Sequence, residues 1–424
     1  MDYTYKFRLL PTTHQREQLD WVRDTVRQLY NHTLHRYNRI PESTGTVQQR
    51  VTRIRDEIPT LKDWWTELTT IYSTILQHAV EQVATNIENL GKLKAAGYNV
   101  GSLNWKAPHE YRSFTYRQRG FELDTNSGPE NRGNLVLKKA GGETLHVPVR
   151  LHRSLPDTAN VKHVTVKKAK TGAWYACLNA EQSTPDKPDT DDIDTTDTVG
   201  IDLGITSFIH DSDGRIINRL DLSTDRERLE REQRSLSRKQ YGSNNWEQQR
   251  QCVAKVHKRM RNKKEDFKHK LAAFYTSEYD AVFVEDLNVT SMLEGERDSR
   301  NIHEVGWRDF ITILKHHGEK RGCHVVEVQP AGTTKECASC GVESDKPLWV
   351  REHSCPSCGF ELDRDYNAAL NVWQRGLDKL GVGYSEGTPV ETAIPVDEQC
   401  VSAKRVIETG SPTLKERAAS AASE

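Results

Sequence analysis

The sequence predicts an α/β core with a small metal-bound insert, preceded by an antiparallel β region that a helical unit interrupts. Three observations carry this. From Val199 onward, short apolar strands alternate with long helical stretches, the pattern of an α/β sheet. Between about 113 and 178, short alternating runs such as "SFTYRQRGFEL", "NLVLKK" and "TLHVPVRL" are separated by Gly-bearing turns, the pattern of antiparallel strands and of a β-barrel. Between 337 and 358 stand two CxxC pairs, Cys337/Cys340 and Cys355/Cys358.

The N-terminal run "YTYKFRLL" alternates and stops at Pro11, as a strand does. Thr12 and Thr13 can cap a helix, in which Leu19, Val22, Val26, Leu29, Tyr30 and Leu34 recur at helical spacing. A second helix carries Ile75, Leu76, Ala79, Val80, Val83, Ile87 and Leu90, with Pro41 and Pro59 between the two. Residues 183–198, with six Asp and two Pro, offer almost nothing to bury and are expected to form a solvated linker. "VGIDL" is then a strand, and Asp211–Gly214 a hairpin turn. Residues 225–271 read as a helical hairpin broken near Gly242-Ser243-Asn244. "DAVFVEDL" is a buried strand, "WRDFITILKHHGEKRG" a helix ended by Gly322, and "HVVEVQP" another strand. The Gly/Ser/Thr/Glu-rich residues 375–424 are expected to be a flexible tail.

Composition excludes some classes. No run of about 18 apolar residues occurs to span a membrane, and the start lacks a signal-peptide core. A cytoplasmic protein with reduced thiols is expected. Net charge is −1, from 60 Lys+Arg against 61 Asp+Glu. It is unevenly spread, because residues 225–270 carry fifteen Lys/Arg and seven Asp/Glu. That basic hairpin suits a nucleic-acid backbone through Arg231, Arg234, Arg238 and Lys239 on one arm. Lys255, Lys258, Arg259, Lys263 and Lys264 lie on the other. Trp246 can stack on bases, while Trp64 and Trp65 are better read as packing helices. Lys167, Lys168 and Lys170 can grip RNA or guard an edge strand.

The spacing C-x2-C-x14-C-x2-C, with Gly341 and Gly359 after the knuckles, fits a closed four-thiolate zinc site of the structural kind. His353 stands near but four cysteines complete the set. Cys177, Cys252, Cys323 and Cys400 lack such spacing and read as ordinary cysteines.

Three carboxylates fall where strands end or a helix begins. Asp202 follows a strand, Glu285 ends one, and Asp365 lies just ahead of the helix "YNAALNVW". Oxygen ligands suit Mg²⁺ or Mn²⁺, and two such ions about 4 Å apart can hold a phosphodiester for hydrolysis. Asp286 and Asp363 are alternatives to their neighbours, and strand alternation allows only one of Glu285 and Asp286 to serve. "GIDLGIT" is also similar to the first phosphate loop of actin-like ATPases, but no second acidic Gly-rich loop follows.

These motifs together resemble the TnpB (OrfB) family encoded by insertion sequences of bacteria and archaea. The matching stretches are "YKFRLLPT", "SFTYRQRGFEL", "VGIDLGITSF", "LEREQRSLSRKQYGSNNW", "VFVEDLNVTSM", "PAGTTKECASCG" and "DRDYNAALN". The resemblance implies an RNA-guided, Mg²⁺-dependent DNA endonuclease with an RNase H-like (RuvC) core at 199–330 and 360–374. It implies catalytic, magnesium-binding acids at Asp202, Glu285 and Asp365, and a zinc ribbon at 331–359 held by Cys337, Cys340, Cys355 and Cys358. It further implies a β-barrel at 1–10 and 105–182, interrupted by a helical recognition unit at 11–104. The partners would be a guide RNA from the element's end and target double-stranded DNA, most of whose sequence the RNA reads by pairing. A non-catalytic regulator of transposition and a conventional transposase are the competing classes.

Overall fold

β-Branched and aromatic alternation drives the first sheet. In the computed structural model, which describes residues 2–117, 119–125, 131–156, 159–287, 306–345 and 350–382, the chain forms two compact units. One holds residues 1–183 and 234–255; the other holds 184–233 and 256–424.

The first unit begins with strand β1 (Asp2–Leu9) and helix α1 (Thr13–Arg39). Thr12 caps α1: its side chain accepts from the Gln15 amide, and the Gln15 side chain accepts from the Thr12 amide. Helices α2 (Val47–Asp56) and α3 (Ile58–Trp64) follow, and then α4 (Ser73–Ala95). Strands β2 (Ser113–Arg117), β3 (Phe121–Asp124), β4 (Arg132–Lys138), β5 (Thr144–Arg150), β6 (Asn160–Lys168) and β7 (Trp174–Glu181) complete a seven-stranded sheet. Its order is β2-β6-β7-β1-β5-β4-β3, antiparallel throughout. The outer strands β2 and β3 are consecutive in the chain, joined by residues 118–120. Seven strands laid flat would part them by about 29 Å, beyond such a link, so the sheet curls. Helices and sheet share one core, in which Leu29, Leu76, Val147 and Leu178 are all fully buried.

The second unit is built on β8 (Thr198–Leu203), β9 (Ser207–Asp211) and β10 (Ile216–Asn218). Helices α5 (Ser223–Ser237) and α6 (Asn244–Glu278) form the expected hairpin, whose residues 234–255 group with the first unit. Then come β11 (Ala281–Glu285), α7 (Trp307–Arg321), β12 (His324–Val328), the small pair β13 (Glu352–Ser354) and β14 (Glu361–Asp363), and α8 (Arg364–Leu380). The sheet order is β10-β9-β8-β11-β12; β8, β11 and β12 run parallel, and β9 and β10 are antiparallel additions. Both faces are covered. Val199, Ile201, Val282 and Val284 pack with Trp307 and Phe310 of α7. Phe283 packs with Leu370 and Trp373 of α8.

Close approach of α8 to β8 requires a residue without a side chain. A Cβ at Gly200 would lie 2.4 Å from the Trp373 amide nitrogen and 2.5 Å from the Ala369 carbonyl. Both obstacles are backbone and cannot rotate away. Gly200→Ala is expected to destabilise this unit by about 3 kcal/mol, the upper part of the overpacking range, measurable by urea unfolding.

Three expectations are corrected. Segment 183–198 marks the unit boundary but is no free linker: Ile193 and Thr195 are buried, Lys187 pairs with Glu319 at 2.5 Å, and His324 Nε2 lies 2.9 Å from the Pro188 carbonyl. The last helix runs to Leu380, past the expected start of the tail at 375; residues 383–424, with Cys400, lie outside the described residues. Trp64 stacks on Trp65 and meets His32 of α1 but stays 64% exposed, so of the pair only Trp65 joins the core.

Candidate active site and four-cysteine site

Strand register assembles the acids. On parallel β8 and β11, Val284 is level with Ile201, so the next step brings Glu285 level with Asp202 on neighbouring strands. Alternation puts Asp202 on the same face as Gly200, which is the face α8 covers. Helix α8 begins at Arg364, so Asp365 sits inside its first turn rather than just ahead of it. Asp202, Glu285 and Asp365 are all buried, at 7%, 5% and 8% exposure.

Burial pushes the Asp202 carboxyl well above the ordinary carboxylate range, and the negative charges of Glu285 and Asp365 push it further. Burial likewise raises Glu285, opposed by a 2.6 Å hydrogen bond that the Thr333 hydroxyl donates to its Oε1. Asp202 thus feels the charge of both other acids, while the carboxyl and ring groups that come within 4.8 Å of one another, among the described residues, are those of His210, Asp363 and Asp365. Asp365 is meanwhile held by Arg351, at 3.0 Å, and by Arg364, at 2.9 Å.

The neighbouring acids separate by what they touch. Asp286 is exposed and lies 3.4 Å from Arg308. Asp363 caps α8, its Oδ1 accepting from the amides of Asp365 and Tyr366. Asp211, fully buried, accepts from the Tyr275 hydroxyl at 2.9 Å and the Arg215 amide at 2.8 Å, and serves the β9–β10 turn.

Thr333, Arg351, Arg364 and His210 escaped the sequence reading. For His210 the signal was the antiparallel hairpin, whose register sets it opposite Asp202. Thr333 gave no signal beyond lying in the loop before the first CxxC. Removal of its hydroxyl leaves the buried Glu285 oxygen without its donor. Thr333→Val is expected to lower divalent-dependent activity by about tenfold, while Thr333→Ser keeps most of it, read from initial rates against metal concentration.

The four cysteines converge. Their sulfurs lie within 4.8 Å of one another, with Cys337 Sγ 3.7 Å from Cys358 Sγ and Cys340 Sγ 3.5 Å from Cys355 Sγ. A tetrahedral zinc ion with 2.3 Å bonds to sulfur needs an edge of about 3.8 Å, so the cluster is sized for zinc. Each knuckle turns through a left-handed glycine: Gly341, at φ 77°, donates to the Cys337 carbonyl and Gly359, at φ 69°, to the Cys355 carbonyl. Burial raises the Cys337 thiol, and raises Cys340 to about 11. Burial also acts upward on Cys355, but the Cys358 and Ser357 amides and the neighbouring thiols outweigh it and bring it to about 7. His353 is fully buried on β13 and stands outside the four-sulfur group.

The cluster is stapled to α8. The Ala338 amide donates to Asn367 Oδ1 at 3.0 Å, and Asn367 and Asn371 both donate to the Glu336 carbonyl, at 2.8 and 2.7 Å. The ribbon and Asp365 therefore share one support.

The hairpin's charges are partly spent. Arg259 and Lys263 grip Asp225 of α5, at 2.9 and 2.5 Å, and so bind the arms together. Lys168 is paired with Asp20 at 2.7 Å. Among the described residues no helix is long and apolar enough to cross a membrane.

Comparison with known proteins places the chain. A Streptomyces pristinaespiralis protein named "Putative RNA-guided DNA endonuclease" is 32% identical over 383 residues, covering 89% of this chain and 90% of that one. The chain belongs to the TnpB/OrfB family of IS605 elements. The family model OrfB_IS605, described as "Probable transposase", matches residues 178–295, and its companion helix-turn-helix model matches 1–45. The TNB domain model of Cas12f1-like proteins matches 307–372. The Escherichia coli family member named "Putative RNA-guided DNA endonuclease InsQ" is 28% identical over 290 residues, 64% of this chain and 67% of that one. Among solved structures, a Cas12f1 chain from a complex with sgRNA and target DNA superposes with a TM-score of 0.56 at 14% identity, covering 85% of this chain and 83% of that chain. That likeness shows an α/β fold like that of Cas12f. The family resemblance read from the motifs is borne out.

Proposed function

We propose that this family member is an RNA-guided DNA endonuclease of a transposable element, with Asp202, Glu285 and Asp365 as ligands of its Mg²⁺ ions in a RuvC-like core. The observation that carries the reading is the placement of three buried acids, from two strands and a helix, at one end of a sheet. Ligands at strand ends of an α/β sheet are where such folds build sites. Mg²⁺ held by these carboxylates would supply activation of the attacking water and stabilisation of the leaving 3′ oxygen. Asp202 is the acid whose charged form both of the others disfavour. Thr333 fixes the Glu285 carboxylate, and the cap at Asp363 fixes the first turn that carries Asp365.

The remaining assignments follow the same reading. The curled sheet at 1–10 and 105–182 is the barrel, and 11–104 the helical recognition part, both holding guide RNA. Segment 331–359 is the zinc ribbon, closed by four thiolates and without a vacant position for chemistry. Relatives named RNA-guided endonucleases support RNA and duplex DNA as partners.

The test is to sequence the RNA that co-purifies with the protein and to reprogramme it. A discrete RNA from the element's end, whose altered guide redirects Mg²⁺-dependent cutting of duplex DNA, is the expected result. Strand-transfer products made without RNA would identify a conventional transposase instead.

A further inference from the structure

We propose that His210 is a nitrogen ligand of the divalent-metal centre, sharing an ion with Asp363 and Asp365, and that it biases this centre toward Mn²⁺ over Mg²⁺. This rests on the reading of the carboxylates as metal ligands and adds to it a donor of another chemical kind.

Two independent observations support it. The first is placement. His210 is the register partner of Asp202 across β8 and β9, so the ring stands on the same sheet face as that acid. One ligand atom each from His210, Asp363 and Asp365 lie within 4.8 Å of one another. An octahedral ion with bonds of about 2.1 Å places neighbouring ligands about 3 Å apart and opposed ligands about 4.2 Å apart, so the three need at most a small closure to surround one ion. The second is an unmet valence. His210 is 6% exposed, and its Nδ1 is buried without a hydrogen-bond partner. A buried ring nitrogen is ordinarily satisfied, and an unsatisfied one on a ring that stands beside two carboxylates signals a missing cation.

Asp363 can serve two masters, since only its Oδ1 is engaged by the α8 amides. The cations facing the group are Arg351 and Arg364, both on Asp365, and an entering ion takes over their role. Imidazole nitrogen binds later first-row ions more readily than it binds Mg²⁺, which prefers oxygen and water. A centre with one nitrogen therefore gains more from Mn²⁺ than an all-carboxylate centre does.

The test uses the full chain with its zinc in place, loaded with Mn²⁺ and studied by pulsed electron paramagnetic resonance. In protein labelled with ¹⁵N-histidine, the nitrogen modulation on Mn²⁺ is expected to switch from the ¹⁴N to the ¹⁵N pattern, which needs no variant and so no assumption about folding. In His210→Gln that modulation is expected to vanish. Mn²⁺ affinity should then fall by about tenfold or more, and Mg²⁺ affinity, read by competition, by less than about threefold. Bound Mn²⁺ whose spectrum is the same in labelled and unlabelled protein overturns the role of His210 and leaves the carboxylate centre standing. Mn²⁺ binding that is absent, or undiminished by Asp202→Asn, overturns the carboxylate centre as well.

Discussion

Asp202→Asn is expected to abolish guided DNA cutting, by at least about a thousandfold, while raising the melting temperature of the protein in buffer without added divalent ions. The two effects have one cause. Asp202 is buried beside two other acids, and its carboxyl is held well above its ordinary range by burial and by Glu285 and Asp365. A raised carboxyl prefers its proton in the folded state. Its contribution to stability is therefore present below the unfolded-state value near 4 and is lost as pH rises through the folded-state value. At neutral pH the folded state penalises the ionised form of Asp202, and the amide removes that penalty. Metal-free wild-type protein should lose stability as pH rises above the ordinary carboxylate range, and the variant should lose less. Added Mg²⁺ should reverse the ranking, because it binds only the folded wild-type centre. Thermal melts of both proteins across pH, with and without Mg²⁺, check every part of this. A variant that melts lower than wild type in both conditions would mean that Asp202 is held by ordinary hydrogen bonds.

Removal of zinc is expected to abolish cutting just as completely, with no loss of any catalytic acid. Binding to four-thiolate sites of this kind is worth roughly 10–16 kcal/mol in isolated zinc-finger peptides, and a small ribbon has little else to hold it. Among the described residues, Cys337, Cys355 and Phe360 form its buried apolar centre. Its loss reaches the acids through two connections. Asn367 and Asn371 on α8 lose the Ala338 amide and the Glu336 carbonyl. Arg351, which precedes β13, loses its place against Asp365 and the Thr206 hydroxyl. Hydrogen exchange after chelation should therefore rise across 331–345 and the first turns of α8, and stay low in the strands of the first unit. Readdition of Zn²⁺ should restore both protection and cutting, and Mg²⁺ alone should restore neither. Because thiolates are the ligands, protons compete with zinc for all four sulfurs, and zinc retention should also weaken steadily on acidification.

The residues that carry the site were legible where local pattern decides. Asp202 and Glu285 stand at the ends of short apolar strands, and alternation allows only one of Glu285 and Asp286 to face inward; the structure buries Glu285 and exposes Asp286. The CxxC spacing specifies four sulfurs around one point, and the sulfurs meet. That Asp363 caps α8 while also standing beside Asp365 and His210 was not legible, because capping shows only in the hydrogen bonds it accepts. His210 was hidden for a related reason: a His in a strand becomes informative once the register opposite it is known. Composition misled at 183–198, where one Ile, two Thr and the contacts of Lys187 and Pro188 anchor a segment that reads as solvated. It misled again in the hairpin, where Arg259 and Lys263 turn inward to Asp225 instead of both facing a nucleic-acid backbone. Long-range pairing of charges does not show in a one-dimensional pattern.

Anomalous scattering from crystals of the protein soaked in Mn²⁺ locates the metal without reference to activity. A manganese peak is expected within bonding distance of an Asp202 carboxylate oxygen, shared with Glu285 or Asp365. Manganese found only elsewhere, with the three acids still bound to protein groups at saturating Mn²⁺, would contradict the shared metal centre on which the nuclease reading depends.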